Sequence, residues 1–154
     1  MQGWRKRQED AHVAAISLGN KKNIDVFGVF DGHGGKEVSQ FVSNHFIQEL
    51  VSNKNIEVDM PQALKETFLK MDEIMITEDG IEEIKKYARK SKEEDDIQSK
   101  KEPPNSQMQL IAQLLELKNP ESNEISKRTG CTACVMGVDE SKKNYISPMR
   151  VTLV

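Results

Sequence analysis

The decapeptide Val26-Phe27-Gly28-Val29-Phe30-Asp31-Gly32-His33-Gly34-Gly35 constrains this chain more than any other stretch. Apolar, rich in β-branched and aromatic residues, of strand length and closed by glycines, it predicts a core strand whose last residues enter a cleft. Alternation sets Val26, Gly28 and Phe30 on one face and Phe27, Val29 and Asp31 on the other, so a carboxylate emerges from an apolar face. A carboxylate there is costly unless something positive meets it. Gly32, Gly34 and Gly35 remove side chains around His33, which lets backbone approach a ligand and lets the next segment start abruptly. Two readings fit. One is a metal or phosphate site made of an acid, an exposed carbonyl and a histidine; the other is a tight strand-to-helix turn with Asp31 as cap and His33 simply exposed.

A chain of 154 residues suits one domain, and a complete domain of that size buries roughly 70% of its unfolded surface. Twenty-two basic and 25 acidic side chains give a net charge of −3 with both signs spread along the sequence. No basic stripe argues for nucleic acid. No run approaches the ~18 apolar residues of a membrane span, and no apolar signal core follows Met1. An intracellular protein, cytoplasmic or nuclear and monomeric, is expected. Cys131 and Cys134 form a C-T-A-C motif without a second Cys or His pair, in a segment that reads as strand. Residues three apart on a strand face opposite ways, so the sulfurs should not meet, and two small buried side chains are expected.

From Arg5 through Lys6, Arg7, Glu9, Asp10 and His12, basic and acidic groups crowd together. Ala11 to Leu18 is strand-like, Gly19 to Asn23 is turn chemistry, and Asp25 to Phe30 completes a hairpin. An antiparallel pair then brings Glu9 and Asp10 beside Asp31 at one sheet end. Three carboxylates so close repel unless a cation neutralises them, and divalent ions with oxygen ligands do so. Arg5, a planar fork suited to phosphate oxygens, precedes the acids. A solvated strand end with surface ion pairs is the alternative.

Further along, Val38, Phe41, Val42, Phe46, Ile47 and Leu50 form a helical stripe over Lys36 to Val51, with His45 packed beside it. Asp59, Pro61 and Gln62 mark a second helix start with a capping box, followed by the stripe Leu64, Phe68, Met71 and Met75. Helix extends over Glu78 to Arg89, and the charged, proline-broken stretch at about 90–108 is expected to be disordered. A short amphipathic helix is expected over Gln107 to Leu117, a strand over Gly130 to Val138, and a hairpin partner from Tyr145.

Four stretches, Met1-Gln2-Gly3-Trp4-Arg5, Gln8-Glu9-Asp10-Ala11-His12, Phe27 to Gly35, and Arg128-Thr129-Gly130-Cys131-Thr132-Ala133, resemble in order and spacing the N-terminal signatures of the type 2C serine/threonine protein phosphatases. The resemblance covers most of the chain outside the middle insert. It implies an α+β fold, here an incomplete four-layer α/β/β/α sandwich of antiparallel sheets flanked by helices. It also implies a two-metal centre at one end of the sandwich, holding Mn²⁺ or Mg²⁺.

By that resemblance Asp31 is the carboxylate bridging the two ions, Gly32 lends its carbonyl, Glu9 holds the second ion's water shell and Asp10 supports the acidic cluster. Arg5 matches the arginine that grips the substrate phosphate, and His33 matches the general acid for the leaving alkoxide. The partners implied are phosphorylated proteins, dephosphorylated at serine and threonine. Where the family continues with a glycine-aspartate-serine-arginine turn, this chain has Ser147-Pro148-Met149-Arg150. The family's two later metal-site aspartates have no counterpart, so residues 1–154 are expected to be the N-terminal part of the catalytic domain. A non-catalytic module binding phosphoproteins or metal is the competing expectation.

Overall fold

The computed structural model describes residues 3–5, 7–18, 23–99, 129–139, 141, 144–145 and 149–153. In chain order they form β1 (Ala11–Ala15), β2 (Ile24–His33), α1 (Glu37–Ser52), α2 (Met60–Met75), α3 (Glu78–Ser99), β3 (Gly130–Asp139), β4 (Asn144–Tyr145) and β5 (Met149–Leu153). The class is α+β. All the strands belong to one antiparallel sheet, ordered β1-β2-β3-β4, with β5 also pairing β3.

The β2–β3 ladder is the spine of this sheet, running unbroken from Ile24↔Asp139 to His33↔Gly130. The expected alternation is present. Val26 and Phe30 are fully buried, whereas Phe27 and Val29 on the other face are 37% and 53% exposed. Helices cover the buried face alone among the described residues: α1 lies against β1, β2 and β3, and α2 reaches β5. Phe46 of α1 packs between Phe30 of β2, at 5.6 Å, and Phe68 of α2, at 5.1 Å. The stripes read from periodicity supply this core, with Val38, Phe41, Val42 and Leu50 on α1 and Leu64, Phe68, Met71 and Met75 on α2 all buried.

Several expectations need correction. The first strand stops at Ala15 rather than Leu18, because Ser17 adopts a left-handed φ of 54° and gives its N–H to Asp25 Oδ1 at 2.9 Å. Asp59 caps α2 through Gln62 N at 3.1 Å, but the Gln62 side chain does not close a box. It donates instead to Glu66 Oε1, one turn ahead, at 2.8 Å. The charged stretch expected to be disordered from Lys90 is helical as far as Ser99, as the last part of α3. Lysine and glutamate are good helix formers, and opposite charges a turn apart pair as Glu82 and Lys86 do at 3.4 Å. Residues 100–108 of that stretch, and the helix expected over Gln107 to Leu117, lie outside the described residues. Strand β5 was not foreseen. It brings Leu153, fully buried, into the core.

His45 is half-buried and stacked on Phe41 at 4.5 Å, but it also has an acidic partner that its own helix does not reveal. Its Nε2 lies 3.0 Å from both carboxylate oxygens of Glu83 on α3. Tyr87 Oη donates to Glu83 at 2.7 Å and accepts from Asn44 Nδ2 at 2.8 Å, so the network clasps α3 to α1.

Candidate functional site

The sheet end where β1 begins and β2 finishes gathers the candidate residues. Ala11 pairs with Phe30 at the end of the ladder, so Glu9 and Asp10, just before β1, lie at the sheet end where Asp31 and Gly32 close β2. Contacts bear out this approach. A β-carbon on Gly32 would collide with the Glu9 carbonyl oxygen and come within 2.9 Å of the Gly35 carbonyl and 3.0 Å of Ser39 Oγ. Glycine at 32 is therefore a steric requirement of the close approach of three chain segments.

On the other side of β2, Asp31 pairs with Thr132, Gly32 with Cys131 and His33 with Gly130. Asp31 and His33 alternate onto the exposed face, on the same side as Phe27 and Val29. The imidazole of His33 leans toward β3, where only the absence of a side chain at Gly130 admits it. Gly34, with φ of 75°, then turns the chain toward α1. Of the two readings of the glycine run, the abrupt strand-to-helix turn is present. Asp31 is not the cap, because α1 starts after Lys36 and has no side-chain cap.

Glu9 is half-buried and Asp10 exposed, with Asp10 Oδ2 accepting from Gln8 Nε2 at 2.8 Å. Arg5 is exposed on the segment that leads into β1. The structure thus brings the Glu9 carbonyl to Gly32 and sets Asp31 and His33 at the same strand end.

The donor set that could hold a metal consists of carboxylates and a backbone carbonyl. Such hard oxygens suit Mg²⁺ or Mn²⁺. Among the described residues no three His, Cys, Asp or Glu side chains gather closely enough to hold an ion. The residues present therefore suit a divalent ion in donor chemistry, while their side chains do not gather into a site for one.

Two residues of this neighbourhood escaped the sequence reading. Gly130 gives the His33 ring its space. Ser39, fully buried in the first turn of α1, donates its hydroxyl to the Glu9 carbonyl. The available signal for Ser39 was a polar residue within the apolar stripe Val38, Phe41 and Val42. The cysteines divide as strand geometry requires, but not both are buried: Cys131 is, and Cys134 is exposed. Burial, with Asp72 and Asp31 adding negative charge nearby, pushes the Cys131 thiol up to about 12, which keeps it protonated at neutral pH.

Comparison with known proteins gives a consistent set of likenesses. The family model described as Protein phosphatase 2C matches residues 1–80. "Probable protein phosphatase 2C 2" of Paramecium tetraurelia is 53% identical over 88 residues, covering 56% of this chain and 29% of that protein. "Probable protein phosphatase 2C 4" of the same organism is 55% identical over 85 residues, covering 54% and 28%. "Probable protein phosphatase 2C 21" of Arabidopsis thaliana is 32% identical over 148 residues, covering 92% of this chain and 41% of that protein. The solved "Structure of a C.elegans sex determining protein" aligns with a TM-score of 0.47 at 20% identity, over 89% of this chain and 25% of that one. The chain thus spans 29% of the length of the first of these relatives and 41% of the Arabidopsis protein.

Proposed function

The chain belongs to the protein phosphatase 2C family, and from that premise we propose that it serves in metal-dependent hydrolysis of phosphoserine and phosphothreonine in protein substrates. The observation that supports the reading is the approach of the Glu9 carbonyl to Gly32 at the strand end that carries Asp31, in a segment that the family model covers.

In this reading Asp31 and the Gly32 carbonyl would hold a divalent ion, Mn²⁺ or Mg²⁺, with Glu9 and Asp10 completing the negative surroundings. When bound, such ions supply a water of lowered pKa and neutralise phosphoryl oxygens. Arg5 binds the phosphoryl group with two parallel hydrogen bonds and orients it. Asp31, on the open face of the sheet, is accessible to a phosphorylated side chain that approaches from solvent. His33, at the same strand end, passes a proton from its imidazole to the departing seryl or threonyl oxygen. The ring's seat over Gly130 limits where that proton is offered.

The test is hydrolysis of p-nitrophenyl phosphate by the 154-residue chain with and without Mn²⁺. Turnover that needs Mn²⁺ and vanishes in Asp31→Asn is expected. Absence of turnover, with phosphopeptide binding that needs Arg5, overturns the enzymatic reading in favour of a binding module.

A further inference from the structure

Beyond residue 80, where the match to the family model ends, α3 carries a charge pattern that the sheet-end site does not use. Its inner side is fixed. Ile84 and Ala88 are buried, and Glu83 and Tyr87 tie the helix to His45 and Asn44 of α1. The opposite side faces solvent, and Lys85, Lys86, Arg89, Lys90 and Lys92 are all exposed there. Among the described residues only Lys86 of these five has an ion pair, with Glu82 at 3.4 Å. Lys85, Arg89 and Lys92 recur at i, i+4 and i+7, so they share one line along the helix, and Lys86 and Lys90 form a second line beside it. Like charges a turn apart repel, and a bound anion relieves the repulsion.

The basic band is short. Lys85 to Lys92 spans about 10 Å at the helical rise, and acids bracket it in the sequence, Glu78 and Asp79 before and the run Glu93 to Asp96 after. A nucleic-acid strand, charged at every nucleotide, would lay phosphates on those acids. A helix that lies on a membrane needs an apolar outer face, whereas these outer residues are charged. A short segment with a few negative charges fits. Alternate residues of an extended peptide stand about 6.6 Å apart on one face, against about 6 Å along the helix between Lys85 and Arg89. The Arg89 fork suits two oxygens of one phosphate. We propose that the outer face of α3 docks a phosphorylated, acidic segment of a protein partner, with Arg89 at the centre and Lys85 and Lys92 on either side. The choice of a phosphorylated partner rests on the reading of the chain as a phosphatase, but the docking itself needs no turnover.

The test is fluorescence anisotropy of a labelled peptide carrying two phosphoserines two residues apart, titrated with the 154-residue chain in EDTA, so that binding is read without metal-dependent turnover. The wild type is expected to bind this peptide, more weakly as salt rises, and to bind the unphosphorylated form far less. Arg89→Gln should weaken binding roughly tenfold, as loss of a hydrogen-bonded charge does, and Arg89→Lys should weaken it less. Lys65→Gln, which removes an exposed charge from α2, should leave binding unchanged. Binding that survives Arg89→Gln combined with Lys85→Gln overturns the proposal, and its loss in Arg5→Gln would then place the peptide at the sheet end instead. No binding by the wild type, equal binding of the unphosphorylated peptide, or tighter binding of single-stranded RNA or phosphatidylserine vesicles through Arg89 overturns it as well. Absence of Mn²⁺-dependent hydrolysis of p-nitrophenyl phosphate, with peptide binding in EDTA intact, overturns the phosphatase reading and leaves the docking face standing.

Discussion

The His33 ring occupies the space where Gly130, its partner on the next strand, lacks a side chain: a β-carbon there would stand 2.7 Å from Nε2 and 2.9 Å from Cε1. The Leu153 carbonyl, 2.9 Å from the same point, closes the other side. Gly130→Ala must therefore move the imidazole or the strand. The expected cost is about 1–3 kcal/mol in urea denaturation, the range for overpacking a filled site. The His33 ring signals should shift in the proton NMR spectrum. Unchanged ring signals in a folded variant would contradict the packing described.

Phe46 joins the sheet to both of its neighbouring helices through Phe30 and Phe68. It is fully buried. Phe46→Ala should destabilise by about 3–5 kcal/mol, the transfer and cavity terms together. Chemical denaturation followed by circular dichroism measures it. Leu69→Ala on the exposed side of α2 is the control and should cost little.

The two cysteines should respond oppositely to chemistry. Iodoacetamide at pH 8 should modify exposed Cys134 and spare buried Cys131, as peptide mass spectrometry would read out. The Cys131 thiol is raised by burial, then by Asp72 and Asp31, from 9.0 to about 12. Below pH 9 folded and unfolded chains both keep that proton. Above it the unfolded chain releases the proton first, so stability falls as pH rises toward 12. Cys131→Ala should flatten that alkaline slope in urea midpoints.

The clasp between α1 and α3 should fail on the acid side. Burial acts to raise the Glu83 carboxyl, but hydrogen bonds from Tyr87 and His45 outweigh it and hold the group below its usual 4.5. A carboxyl lowered by folding stabilises above the unfolded value and loses that contribution as pH falls through the folded one. The urea midpoint should therefore decline below pH 4.5, and decline less in Glu83→Gln. Tyr87→Phe, which removes the 2.7 Å donor, should reduce the same acid dependence.

Periodicity made the layered part of this fold legible. The alternation in Val26 to Asp31 mirrors burial on a sheet covered, among the described residues, on one side, and the stripes of α1 and α2 mirror the side facing it. Charge runs were a poorer guide, since the Lys/Glu stretch after Lys90 continues a helix that its polarity alone hides. The candidate site was legible where neighbours in the hairpin meet, as the Glu9 carbonyl and Gly32 do. It was hidden where partners come from distant elements: Ser39 with Glu9, His33 with Gly130, and His45 with Glu83 are joined only by tertiary packing.

The longest ladder of the sheet unites strands separated by residues 34–129, its inner end closing at His33 and Gly130. Assembly must therefore wait for a distant part of the chain to return, which makes this a topology of non-local contacts and slow folding. The entropy of closing such a long connection grows only with the logarithm of its length, about 0.6 kcal/mol for each doubling. Extra residues spliced in after α3 should accordingly delay the chain's arrival at its native form far more than they loosen that form once reached.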